Sequence, residues 1–537
     1  MNHLDRRSVL KAGLAGGLAA AVGSVRGADD RPAVPPSELD EVTVAELQER
    51  LLSGQLTARV LAEKYLARID ALDRRDPTLC SVIEGNPDAL AQANALDRER
   101  KEKGPRGPLH GIPVLVKDNI DTADRMATTA GSLALVGAKP PRDAFLVRRL
   151  RQAGVVLLGK TNLSEWANIR SSHSTSGWSG RGGLTRHPYA LDRNPSGSSS
   201  GSAVAVAANL CPLAVGTETD GSIISPSSAS GIVGIKPTVG LVSRSGVIPI
   251  SHTQDSAGPM ARTVRDAGLL LGALVGVDPE DAATADSRGR SAADYTQSLD
   301  PNGLRGARVG VVRKYFGFHD AADVVIGAAL DVLKKLGATV IDPADIETAG
   351  QVDEPELTVL LYELKADLNA YLARLGPGAP VRTLAEVIAF NEQNKATEQP
   401  YFGQDLFVKA QAKGPLTDKE YTEALAKCRR LARAEGIDAV MDKHKLDALV
   451  APSEGPAWLT DLVDGDHALG RSTTGAAVAG YPSVTVPAGF VCGLPVGLSF
   501  FGRAWSEPTL LKLAYAFEQA TKHRRPPCFA ATADVRG

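Results

Sequence analysis

The sequence predicts an α/β layered fold around a large, mainly parallel sheet. Three observations carry that expectation. Short apolar runs alternate with amphipathic segments along most of the chain, the pattern of strands joined by crossover helices. At 537 residues, 43% hydrophobic and 23% charged, the composition is globular and the length ample for a large core. No long low-complexity linker divides it, so one large domain is expected rather than several.

The elements follow in order. TVAELQERLLSG opens a helix, with Thr43 and Glu46 at capping-box spacing and Gly54 as its stop. Amphipathic helices are expected over about 57–72 and 87–103. IPVLVKDNI is a short apolar run of strand character that carries one lysine, Lys117. Residues 143–152 read as a helix ended by Gly154, and VVLLG as a buried strand. ARVGVV, residues 323–336 and ATVID give strand, helix, strand. Residues 355–440 are mostly helical and are expected to line the substrate site. DALVAPS, YPSVTVPAG and PVGLSFFG are strands, and 508–521 is a closing helix. The polar stretch 278–301 reads as a surface connection.

Charge narrows the partners. Lysine and arginine number 60 against 62 acids, with no polybasic run, and aromatics are 5%. Nucleic acid is therefore excluded as an expected partner. Five scattered cysteines without a CxxC give neither a metal site nor a disulfide framework, and no cofactor motif is present. The N-terminus, DRRSVLKAGLAGGLAAAVGSVRGADD, places paired Arg6 and Arg7 before a stretch of about eleven apolar residues. That stretch is too short to span a bilayer, which needs about 20 residues. Residues 1–28 read as a twin-arginine export signal, which implies a periplasmic or secreted protein. No later segment is apolar and long enough to cross a membrane.

Three stretches carry chemistry. Lys117 sits on an otherwise apolar strand. Burial would lower its pKa and make a neutral general base; the alternative is a lysine that reaches the strand's edge or pairs with Asp118 or Asp121. In NPSGSSSGSAVAVAANL, a Gly/Ser loop enters an Ala/Val helix. It lacks the patterns of a P-loop or a dinucleotide fold, so it reads as a rigid loop presenting hydroxyls. In GTETDGSIISP, small residues allow a tight turn. Backbone N–H groups of Thr219, Asp220, Gly221 and Ser222 would converge there, as an oxyanion hole requires. His110 and His252 are the nearest candidates for a histidine partner to a serine nucleophile, and each reads better as a structural hydrogen-bonding residue. A serine without a convincing histidine points to a lysine base, relayed through a second hydroxyl.

Taken together, GSSSGSAVAVAANL through GTETDGSIISPSSASGIVGIKPT, with LHGIPVLVKDNI upstream, resembles the amidase signature family. GKTNLSEWA, SRSGVIPISHTQDSAGPMARTV and GYPSVTVPAG with GLPVGLSFFG fit the family's flanking segments. The resemblance covers residues 40–520, with a single domain expected over 38–525. It implies a large mixed, mainly parallel, twisted sheet between helical layers, and a Ser–cis-Ser–Lys triad that cleaves amides through an acyl-enzyme. By motif, Lys117 matches the base, Ser198 the serine in a cis peptide linkage and Ser222 the nucleophile. The two serines stand 24 apart, as the family pattern requires, with Ser199 the runner-up to Ser198.

Two positions depart from the family. Asp220 stands where a glycine is usual, putting a carboxylate beside an oxyanion, and Ile224 stands where an arginine is usual. The ETDGS variant resembles the branch containing bacterial peptide amidases, which release ammonia from C-terminal peptide amides. The implied partner is a small-molecule or peptide amide. Two rival readings are an ammonia-supplying glutaminase subunit for tRNA charging and a non-catalytic exported binding protein on the same fold. Trp166, Trp178 and Trp458 are candidate walls of the acyl pocket.

Overall fold

The computed structural model describes residues 37–535, so the export-signal segment lies outside the described residues. One eleven-stranded sheet organises the molecule. Its strands are β1 (Val82–Gly85), β2 (Pro113–Lys117), β3 (Val156–Thr161), β6 (Leu213–Glu218), β7 (Val233–Lys236), β8 (Ser256–Ala261), β9 (Arg308–Val311), β10 (Thr339–Ile341), β11 (Ala448–Pro452), β12 (Ser483–Val491) and β13 (Leu494–Phe501). The order across the sheet is β1-β3-β2-β6-β8-β7-β12-β13-β11-β9-β10. A separate two-stranded hairpin pairs β4 (Trp178–Ser179) with β5 (Gly183–Leu184).

The sheet is mixed. β3-β2-β6 and β11-β9-β10 form two parallel blocks. Between them, β6, β8, β7, β12, β13 and β11 pair antiparallel, as does β1 on β3. The parallel share is smaller than the strand–helix alternation implied, because several neighbours connect without a crossover helix. β12 and β13 turn through Cys492 and Gly493 alone, both at positive φ, the two-residue hairpin geometry that matches strand twist.

Helices flank the sheet. The capping box at the start of α1 (Val44–Leu52) is present as expected: Thr43 Oγ1 accepts from Glu46 N–H, and Glu46 reaches back to Thr43 N–H at 2.7 Å. α2 (Ala58–Arg68) and α3 (Ala89–Lys103) pack on the parallel block. α4 (Phe145–Ala153) ends at Gly154 in the left-handed region, as its sequence requires. α5 (Ser200–Ala207) is buried on every face, against β1, β2, β3, β6 and β8. α6 (Ile224–Ala229), α7 (Val264–Leu274), α8 (Asp320–Lys335) and the closing helix (Glu507–Thr521) cover the remaining strands.

The expected helical region begins with α9 (Asp353–Arg374) and runs to His444. Its buried side chains Leu364, Leu368, Leu384 and Phe407 share one apolar cluster with Leu135, Trp166 and Ile250 from earlier in the chain. Residues 278–301 hold two short 3₁₀ turns, anchored by the buried Tyr295. All five cysteines are free thiols. Among the described residues, no helix is long and apolar enough to cross a membrane.

Candidate active site

The parallel neighbours β2 and β6 run side by side, Val116 opposite Val215, so their C-terminal ends emerge together. That edge is where open α/β sheets place ligands. Lys117 ends β2 and is fully buried. Its Nζ donates to Ser198 Oγ at 2.7 Å, to Thr217 Oγ1 at 3.0 Å and to the Thr217 carbonyl at 3.2 Å. Neither pairing with Asp118 or Asp121 nor escape to the strand's edge occurs. Burial pulls the amine down to about 7, against the opposing pull of Glu218 and Asp255. At neutral pH a large fraction of it is therefore uncharged.

Ser198 follows a cis Gly197–Ser198 peptide bond and leads into α5. The neighbouring serines are otherwise engaged. Ser199 Oγ donates to the Thr217 carbonyl and accepts from Thr217 N–H. Ser200 Oγ donates to the Ser196 carbonyl at 2.6 Å. Ser202 Oγ and Thr161 Oγ1 share a hydrogen bond of 2.7 Å. Ser198 is thus the loop hydroxyl that meets the lysine, and Ser199 serves the backbone of β6.

Beyond β6, Gly221 adopts a positive φ and the chain turns into α6. Glu218 fastens this turn: its Oε2 accepts from the N–H groups of Ile223 and Ile224 at 2.7 and 2.9 Å. Thr219 Oγ1 donates to Asp255, whose other oxygen accepts from Ile250 and Ser251 N–H. Ser222 is 8% exposed, and its carbonyl accepts from Ser199 N–H at 3.1 Å, tying the two serine loops together. None of the N–H groups of Thr219, Asp220, Gly221 and Ser222 donates to another described residue. Four unspent donors on one tight turn are suited to a developing oxyanion.

The carboxylate of Asp220 does not point its charge at that turn. Its Oδ1 accepts from Thr473 Oγ1 at 2.7 Å, its Oδ2 from Thr474 Oγ1 at 2.8 Å, and Arg471 stands 3.4 Å away. The conflict raised by an aspartate at a glycine position is settled by hydroxyls some 250 residues later in the chain. Nothing in the local sequence could have signalled them.

Ser198, Thr219, Asp220 and Ser222 share a cavity of about 280 Å³. Its walls include Asn168 and Ile169, the first turns of α9 through Glu356, Leu357 and Leu360, and Trp458. Two of the three tryptophans singled out from sequence are packing residues instead. Trp166 meets Phe407 edge-on at 5.7 Å. Trp178 meets Phe402 at 5.2 Å and lies under Arg170. No histidine is among the residues lining the cavity. His110 is buried against the Leu96 carbonyl, and His252 pairs with Asp367 at 2.9 Å.

The profile of the family described as Amidase matches residues 60–511. The chain belongs to the amidase signature family. A probable amidase of Arabidopsis thaliana is 45% identical over 503 residues, which cover 92% of each chain. The native peptide amidase of Stenotrophomonas maltophilia superposes with a TM-score of 0.88 at 54% identity, over 92% of this chain and 100% of that one. A glutamyl-tRNA(Gln) amidotransferase component of Halorhodospira halophila is 36% identical, covering 91% of this chain and 99% of its own. This amidase is an amide hydrolase, and its large mixed sheet with flanking helices is that of the family.

Proposed function

We propose that the protein hydrolyses peptide C-terminal amides, or closely similar carboxamides, through a Ser222 acyl-enzyme, with Ser198 and Lys117 as proton relay and base. The observation that carries this reading is a wholly buried amine 2.7 Å from a hydroxyl that shares one cavity with a second serine. Neutral Lys117 accepts the proton of Ser198 as Ser198 takes that of Ser222. Ser222 Oγ attacks the amide carbonyl, and the oxyanion is received by the N–H groups of Thr219, Asp220, Gly221 and Ser222. The proton returns through Ser198 to the leaving nitrogen, the C–N bond breaks, and ammonia departs. Water then adds to the ester, its proton passing along the same relay, and Ser222 leaves as the free hydroxyl. The likeness to the peptide amidase of S. maltophilia supports the choice of substrate class.

Ammonia release from a blocked dipeptide amide tests it. Lys117→Arg keeps a charged side chain that cannot serve as base, and Ser222→Ala removes the nucleophile. Each is expected to lose at least ~10³-fold in kcat, with loss of fluorophosphonate labelling in Ser222→Ala. Near-normal turnover in either variant refutes the reading.

The similarity to a tRNA amidotransferase component favours a second reading, in which the same site frees ammonia from glutamine for a partner. Rapid hydrolysis of peptide amides by the isolated chain, with glutamine untouched, would rule that out. Residues 1–28 are proposed as an export signal for the folded protein. Fractionation of cells carrying Arg6→Lys with Arg7→Lys tests this, since retention inside the cell is expected.

A further inference from the structure

The cavity around Ser198 and Ser222 is lopsided in charge. Asp220, Asp353, Glu356, Glu454 and Asp466 reach its wall, against the single guanidinium of Arg471. Two of these carboxylates are spoken for. Asp220 is held by Thr473, Thr474 and Arg471. Asp466 accepts from the N–H of Ser176 at 2.9 Å and from its hydroxyl at 2.6 Å.

Asp353 and Glu356, on the first turn of α9, and Glu454, just beyond β11, are left. Glu356 is 7% exposed, and among the described residues its carboxylate accepts one hydrogen bond, from Gln254 Nε2 at 2.8 Å. Glu454 is 2% exposed, and its Oε2 accepts no hydrogen bond among the described residues. A carboxyl buried that deeply with an unmatched oxygen is costly unless another group supplies a donor or a positive charge. Burial, with a smaller push from the Asp466 carboxylate, raises Glu454 to about 7, against lesser pulls from the Ser196 and Ser225 hydroxyls and from Arg471. Burial and then the Asp220 carboxylate push Glu356 up to about 8.

We infer that this cavity selects amides whose acyl portion carries a positive charge, a free amino group or a basic side chain, with Glu454 and Glu356 as the specificity-determining residues. The inference rests on the amide-hydrolysing reading of the same site. A cation entering the cavity adds to the one counter-charge the wall supplies, Arg471, which Asp220 already shares, and both carboxyls ionise against it. A neutral acyl group adds no charge to what Gln254, Ser196 and Arg471 already give them.

The test is the ratio of kcat/KM for two blocked dipeptide amides that differ only in arginine against its neutral isostere citrulline. At low salt the arginine peptide is expected to lead by about tenfold or more, the equivalent of about 1.4 kcal/mol of differential binding. Glu454→Gln and Glu356→Gln are each expected to shrink that ratio, chiefly through KM. The ratio is insensitive to the fraction of enzyme that folds, so a poorly folding variant still reports. A wild-type ratio near one, or a ratio that both variants leave intact, overturns the inference. Failure of the amidase reading looks different, since then neither peptide releases ammonia.

Discussion

At Lys117, burial and hydrogen bonding pull against each other. The strand delivers the amine into a fully dry position, while three acceptors within 3.2 Å would welcome its charge. Desolvation is the larger effect, and the amine titrates near 7 rather than near 10.5. The sign follows directly. A base must be uncharged, so kcat/KM should climb as pH rises through about 7 and level off above it, and a flat profile between pH 5 and 9 would contradict the role given to this residue. The same shift bears on stability. The unfolded chain holds a proton on this amine up to about pH 10, so this group's contribution to stability grows as pH rises from about 7 to about 10. A second residue-scale expectation concerns Asp220. Thr473 and Thr474 hold its carboxylate off the turn that bears the four free N–H groups. Thr473→Val with Thr474→Val should free that charge to oppose an oxyanion. Turnover is expected to fall about 10²-fold, the scale of one lost oxyanion donor, with KM little moved. Asp220→Asn in the same background should restore much of the loss. Steady-state kinetics on a single amide separates these outcomes.

Among the elements, α5 shows most clearly why the sequence there is so small. A Cβ at Gly201 would collide with the Ser81 carbonyl oxygen and stand 2.5 Å from that of Asn162. Those are backbone atoms of adjacent segments of the same chain and cannot swing aside as a side-chain tip could. Gly201→Ala should therefore push α5 off the sheet. A cost of about 1–3 kcal/mol is expected, read as a lower melting temperature, together with loss of activity as Ser198 and Ser199 move with the helix. An unchanged melting temperature would mean that the packing there is looser than these distances imply. The Gly/Ser loop was legible as rigid because an apolar segment follows it at once. In the central antiparallel stretch β11, β12 and β13 were legible as strands, but β7 and β8 were not. SAGPMA in β8 has neither the β-branched content nor the alternation of a strand, and it is held by pairing to β6 and β7 on either side.

At the scale of the whole molecule, the motifs carried further than the periodicities. Lys117, Ser198 and the turn at Ser222 lie on three segments that only the sheet order brings together, and a family likeness could point to them without any geometry. What stayed hidden depends on contacts across long separations. Thr473 and Thr474 reach Asp220 from the start of a late helix, and the cavity wall draws on α9 and Trp458 while Trp166 and Trp178 turn inward. The helical region from α9 onward was visible as helix, but which few of its residues face the serines was not. Because Lys117 and the turn at Ser222 hang from the ends of β2 and β6, strands in the interior of one continuous sheet, the proposed chemistry has no private scaffold that could loosen by itself. Heat should silence the enzyme and dissolve its core in a single event, so residual turnover during warming would serve as a faithful gauge of how many molecules are still folded.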